Sequence, residues 1–293
     1  MRYFGAHVSV EGGLVNAISA ATKLSINTIQ IHPSTPQRWI TKDIDTAGIE
    51  SMVKGQKNSP VKKLFAHAIY LINLAQPDKQ KFHLAKLALV HYLNFMKDIE
   101  TIATAYNSDL QAGGVVVHVG TAIHYPSKQD ALERILKGIN WVLSEAPKGR
   151  LLLESSAGAG QVIGSHLADL AWLREKADQP ERIGFTLDTA HMFASGYDWT
   201  HVDTVIHQIE QELPLNKVEL LHLNDSKVPC GSRKDRHENL AEGLIGEVAL
   251  RQIVSHQKLS HIPLVLETPR MKNLTEAAID IDKLRSWITS PQS

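Results

Sequence analysis

Ile183-Gly184-Phe185-Thr186-Leu187-Asp188-Thr189-Ala190-His191 carries the pattern that decides the fold. A short apolar run ends in a carboxylate, Asp188, and a second residue able to bind a metal, His191, begins the next segment. Seven other runs have the same form. Tyr3-Phe4-Gly5-Ala6 ends in His7, Thr28-Ile29-Gln30-Ile31 in His32, Leu64-Phe65-Ala66 in His67 and Val115-Val116-Val117 in His118. Leu151-Leu152-Leu153 ends in Glu154, the run from Val218 to Leu221 in His222, and Leu264-Val265-Leu266 in Glu267. Runs this short and this rich in branched residues read as strands buried on both faces.

Helical periodicity separates the strands. Leu14, Ala17, Ile18 and Ala21 share one face, as do Leu132, Ile135, Leu136, Ile139 and Val142 behind Ser127, a suitable N-cap. Residues 80–105 carry a long helical pattern, and Ala277, Ile281, Leu284 and Ile288 mark a closing helix. Strands alternating with helices predict an α/β chain: a single (β/α)8 TIM barrel over residues 1–293 with its site at the C-terminal strand ends. No linker or low-complexity tract divides the chain. Residues 33–48, 119–128 and 226–246 are enlarged connections that follow strand ends and should project over the barrel mouth.

Composition removes several classes. No apolar stretch is long enough for a membrane span, and Met1 to His7 enters strand pattern without a signal-peptide core. Cys230 is the only cysteine, which excludes an intrachain disulfide and fits a cytoplasmic protein. Nothing in the pattern demands an oligomer, so a monomer is expected. Thirty-one basic and thirty-one acidic residues balance to zero net charge, so no diffuse basic surface advertises nucleic acid. Bound metal changes that count. Glu154, Asp188, Asp235 and Glu267 bring four negative charges, and about three divalent ions among them would turn the mouth from repelling phosphate to attracting it.

The pattern Asp235-Arg236-His237 adds two ligand types inside a polar loop. The candidate metal ligands are then His67, His118, Glu154, Asp188, His191, His222, Asp235, His237 and Glu267. Nine mixed nitrogen and oxygen donors exceed the needs of one zinc and suit two or three ions sharing carboxylates. Clustered divalent ions favour in-line displacement at phosphorus, so the residues themselves point to metal-assisted hydrolysis of a phosphate ester. His7 and His32 read as residues that support the ligands. His83, His91, His124, His166, His201, His207, His256 and His261, on helical or loop segments, read as structural.

Several ordered motifs resemble the endonuclease IV family of apurinic/apyrimidinic endonucleases along essentially the whole chain. They are Gly5-Ala6-His7-Val8-Ser9, Tyr70-Leu71-Ile72-Asn73-Leu74, Leu187-Asp188-Thr189-Ala190-His191, Gly196-Tyr197-Asp198, His222-Leu223-Asn224-Asp225, Gly231 to His237, and Leu266-Glu267-Thr268. The resemblance implies three zinc ions: one on His67 and His118, one on Asp188, His222 and Glu267, and one on His191, Asp235 and His237, with Glu154 bridging two of them. It implies hydrolysis 5′ to an abasic site in double-stranded DNA, leaving a 3′-hydroxyl and a 5′-deoxyribose phosphate, and removal of 3′-blocking groups. Glu154 and Glu267 would be the catalytic carboxylates. Tyr70 and Leu71 would fill the gap in the base stack, or else pack in the core; Arg236 would contact phosphate, and Gln37, Arg38 and Trp39 lie where the family contacts DNA.

The chain departs from the family at Val119, where proline is usual, at Ser155, where asparagine follows the bridging glutamate, and across residues 33–39. None of these removes a ligand; they touch loop stiffness, ligand support and DNA grip. The rival reading is a sugar isomerase or epimerase of the xylose-isomerase-like barrels, with one metal on Glu154, Asp188, His222 and Glu267. A catalytically dead DNA-binding module on the same scaffold is the third. The surplus ligands His67, His118, His191, Asp235 and His237 argue against both.

Overall fold

The computed structural model describes residues 2–34, 39 and 44–289. Eight parallel strands close into a barrel. They are β1 (Phe4–His7), β2 (Thr28–Ile31), β3 (Lys63–His67), β4 (Gln111–Val117), β5 (Leu151–Glu154), β6 (Ile183–Asp188), β7 (Val218–His222) and, after a two-stranded hairpin, β10 (Leu264–Leu266), which pairs with β1. The hairpin strands are β8 (Asp225–Ser226) and β9 (His237–Glu238), paired antiparallel.

Helices return the chain between strands. They are α1 (Val15–Leu24), α2 (Thr46–Gln56), α3 (Lys79–Ala105), α4 (Lys128–Glu145), α5 (Leu167–Lys176), α6 (Thr189–Ser195), α7 (Val202–Glu212), α8 (Gly246–Ser255) and the closing α9 (Leu274–Thr289). The expected apolar faces are the buried ones: Ala17, Ile18 and Ala21 on α1, Ala277, Ile281 and Leu284 on α9. Ser127 caps α4 by accepting from the Asp130 amide. Each wholly buried Leu or Ile contributes roughly 1.5–3 kcal/mol relative to exposure.

Alternation along each strand splits the core in two. Side chains pointing outward meet the helices in one large apolar cluster. Those pointing inward form a small separate one, Phe65, Val116, Leu152, Leu220 and Val265, which plugs the barrel. Two glycines make room for this plug. A Cβ on Gly5 would sit 1.6 Å from the Thr28 carbonyl oxygen, and one on Gly113 would strike the Phe65 ring at 2.3 Å. The barrel is therefore filled up to the last turn before its mouth, and chemistry can only begin above that level.

Candidate metal centre

Two residues beyond the apolar plug, the same alternation places a polar layer. Phe65 is followed by His67, Val116 by His118, Leu152 by Glu154, Leu220 by His222 and Val265 by Glu267. Gly5 is followed in the same way by His7, Thr28 by Gln30 and Thr186 by Asp188. Strand register agrees with this level: His7 pairs with Gln30, and Asp188 with His222. The eighth member, on β2, is thus Gln30. The apolar run there was read through to His32, which lies one layer further out, its Nδ1 donating to the His67 carbonyl at 2.9 Å.

Three donor groups assemble on this layer, each with its ligand atoms within 4.8 Å of one another: His67, His118 and Glu154; Glu154, Asp188, His222 and Glu267; and Asp188, His191 and His237. Glu154 joins the first two groups and Asp188 the last two. The Glu154 Oε2 lies 3.1 Å from the Nε2 of both His67 and His118, and its Oε1 lies 2.8 Å from His222 Nδ1. Asp235 completes the third group from a half-exposed loop, 3.3 Å from His191 Nε2 and 3.4 Å from His237 Nε2.

Local structure aims these donors. Asp188 ends β6 and also caps α6, its Oδ1 accepting from the His191 amide at 2.8 Å. One carboxylate therefore fixes the three-residue step between two ligands. His237 hangs over the mouth on β9, and the loop that carries it is anchored by Asp225. That fully buried carboxylate accepts from the amides of Ser226, Gly243 and Ile245. The rings are held by acceptors behind them: His67 Nδ1 by the Ala68 carbonyl at 2.7 Å, His191 Nδ1 by the Ser155 carbonyl at 3.0 Å, and His237 Nδ1 by the Glu267 carbonyl at 3.2 Å. Carbonyls only accept, so each ring carries a proton on Nδ1 and turns Nε2 toward the centre.

Among the described residues, the carboxylates of this centre pair only with imidazoles. Burial opposes ionisation of Glu154, yet His118 and His222 hold it well below the usual carboxylate range. Burial likewise opposes Glu267, which His222 and His7 pull down. Burial favours neutral His222, but Glu267 and Glu154 raise it to about 9. His32, by contrast, is pushed down to about 3 by burial and by the neighbouring His7 and His67. Buried carboxylates sharing imidazoles whose lone pairs converge form a donor set that fits divalent cations of zinc type.

Tyr70 and Leu71 are not core. They are 72% and 43% exposed, and Tyr70 stands between two cavities of the mouth. One, about 840 Å³, is lined by His7, His32, His237 and Glu267; the other, about 280 Å³, by His118, His191 and Asp235. Arg236 is exposed, its guanidinium bonded to the Asp235 carbonyl.

Known proteins show where this fold and sequence belong. Residues 18–288 match the family described as the xylose isomerase-like TIM barrel. A probable endonuclease 4 of Halothermothrix orenii is 34% identical over 270 residues, covering 91% of this chain and 93% of that protein. The chain belongs to the endonuclease IV family. A probable endonuclease 4 of Campylobacter concisus is 33% identical over 92% of this chain and 93% of its own length. Endonuclease IV from Thermus thermophilus superposes with a TM-score of 0.84 at 28% identity over 99% of both chains. The 3-keto-D-glucoside 4-epimerase of E. coli, at 11% identity and a TM-score of 0.68, shares the fold alone.

The departures from the endonuclease IV pattern have local solutions. The Ser155 hydroxyl accepts from the Asp188 amide at 2.8 Å while its carbonyl orients His191. Val119 is wholly buried. Gln37 and Arg38 lie outside the described residues, and Trp39 packs against the core. His83 stands away from the centre, against the Trp141 ring.

Sequence reasoning missed Gln30 and Asn224. The Asn224 side chain donates to Asp188 Oδ2 at 2.6 Å and accepts from the Glu267 amide at 2.8 Å, tying two ligands together. Counting back two residues from His32 along β2 would have found Gln30; Asn224 lies beyond its strand end and offered no periodic signal.

Among the described residues, no helix is long and apolar enough to cross a membrane.

Proposed function

We propose that this chain hydrolyses the phosphodiester 5′ to abasic sites in double-stranded DNA, and removes 3′-blocking groups, using three zinc ions. The observation that carries the reading is the number of donor groups among the described residues: three, linked through Glu154 and Asp188. A single-metal epimerase would use Glu154, Asp188, His222 and Glu267 alone, and would leave the pairs His67–His118 and His191–His237 without a task.

His67, His118 and Glu154 would hold the first ion; Glu154, Asp188, His222 and Glu267 the second; His191, Asp235 and His237, beside Asp188, the third. Zinc bound there supplies Lewis acidity at phosphoryl oxygens and lowers the pKa of water. The chain's own groups do the rest. Glu154 is enclosed, its side chain 0% exposed and engaged by three imidazoles, so it organises ligands. Glu267 is the carboxylate open to the larger cavity, its side chain 15% exposed. Its Oε1 is held by His7 and Gln30, which turns Oε2 toward the second ion's position, where it would orient the attacking water. Tyr70 and Leu71, exposed between the cavities, are placed to wedge into the stack where a base is missing, because an abasic step has less stacking to lose.

The decisive experiment is cleavage of a duplex with one tetrahydrofuran abasic analogue by zinc-loaded protein. A 3′-hydroxyl product ending one position 5′ to the lesion is expected. No cleavage by protein carrying its full zinc complement would overturn the proposal.

A further inference from the structure

The inward-facing amide of Gln30 is the one member of the ring that is not an obvious metal ligand, and it is wholly buried. All its polar atoms are used. Its Nε2 donates to Glu267 Oε1 at 2.6 Å and lies 3.0 Å from His7 Nδ1; its Oε1 lies 2.8 Å from His222 Nε2. A carboxylate such as Glu267 can only accept, so the NH2 end of the amide must face Glu267. The oxygen end then faces His222, and that oxygen in turn can only accept. The proton of His222 is thereby fixed on Nε2, and the opposite nitrogen, Nδ1, points to Glu154 Oε1 at 2.8 Å, Glu267 Oε2 at 3.4 Å and Asp188 Oδ2 at 3.8 Å.

We propose that Gln30 is a positioning residue, which sets the His222 tautomer and the Glu267 orientation together and so sets how tightly the Glu154–Asp188–His222–Glu267 group holds its metal. The inference rests on the metal-centre part of the reading above and not on the DNA substrate. Both interactions come from one side chain because β2 presents Gln30 between β1 and the β10–β7 pair across the narrow barrel top. A shorter or apolar side chain there leaves the buried His222 Nε2–H without an acceptor and releases Glu267, and such supporting partners typically change metal affinity by about ten- to a hundredfold.

The test uses zinc as probe on the metal-stripped full chain, in competition with a chromophoric chelator. Gln30→Leu should weaken one zinc per chain by about ten- to a hundredfold, with the other sites unchanged. Unchanged affinity at every site, or equal weakening of all of them, would overturn the proposal. Should the Leu variant fail to fold, nitrogen-15 NMR of the zinc-loaded natural chain decides the matter. The His222 ring proton is expected on Nε2, protected from exchange, and a proton on Nδ1 would overturn the assignment. Neither measurement involves DNA, so loss of this role and absence of abasic-site cleavage are separately visible.

Discussion

The Nε2 atoms of His191 and His237 lie 3.3 Å apart, while the Nδ1 of each ring is held by a backbone carbonyl. Both Nε2 atoms therefore face one point beside Asp235, a position suited to a divalent cation. Zinc loading should saturate at three ions per chain, and His237→Ala should lower this by one, read by elemental analysis after gel filtration. A stoichiometry of one, unchanged by zinc loading, would favour the epimerase type of centre.

The proposed roles of Glu154 and Glu267 should set them apart from a distant histidine. Glu154→Ala and Glu267→Gln should each reduce abasic-site cleavage by at least about a hundredfold, since each removes a ligand or its support. His83→Ala, at the α3–α4 contact with Trp141, should leave the rate as it was. Single-turnover rates check all three; near-normal rates for both glutamate variants would remove them from the mechanism.

Tyr70 and Leu71 are exposed, so truncating them creates no cavity. The double variant Tyr70→Ala, Leu71→Ala should keep its zinc and its melting temperature but bind abasic duplex more weakly. Arg236→Ala should flatten the salt dependence of binding by a slope of about 0.9, the value for one phosphate contact. A fluorescence titration across a salt series measures both effects. An unchanged slope would remove Arg236 from the phosphate contacts.

Metal uptake should release protons. Without metal, His222 is raised to about 9 and His191 well above its ordinary value, in each case against burial and by neighbouring carboxylates. Carboxylates thus favour the protonated rings, and metal binding must displace the protons they hold. Protons should leave on zinc binding at pH ~7.5, and fewer as pH rises past about 9. Zinc calorimetry in buffers of different ionisation enthalpy gives the number. By the same raised pKa, the metal-free fold gains stability from His222 below about pH 6.5 and loses it as pH climbs through about 9.

Gly5 is a packing requirement independent of function. A methyl group there would sit 1.6 Å from the Thr28 carbonyl oxygen, forcing β1 and β2 apart. Gly5→Ala should cost about 3 kcal/mol or more, seen as a lower urea midpoint. A variant as stable as the natural chain would mean that the barrel top can widen freely.

The barrel and the ligand candidates at strand ends were legible in the sequence through local periodicity, while His191, Asp235 and His237 were read from the short motifs that carry them. A strand buried on both faces must be apolar along its length, so a polar residue at its end stands out, as Asp188 does after Leu187. The donor grouping was implied by the family resemblance and not by periodicity. That Asp188 serves two groups and that Tyr70 is exposed between two cavities follow from distances across the mouth, and no spacing along the chain encodes them. Gln30 shows the boundary most clearly. In sequence it is one polar residue inside an apolar strand, a position that reads as tolerated burial. Only closure of the barrel brings it within 2.8 Å of His222, 192 residues away, and within 2.6 Å of Glu267, 237 residues away. A buried amide can satisfy its donors and acceptor only on partners that the tertiary fold delivers.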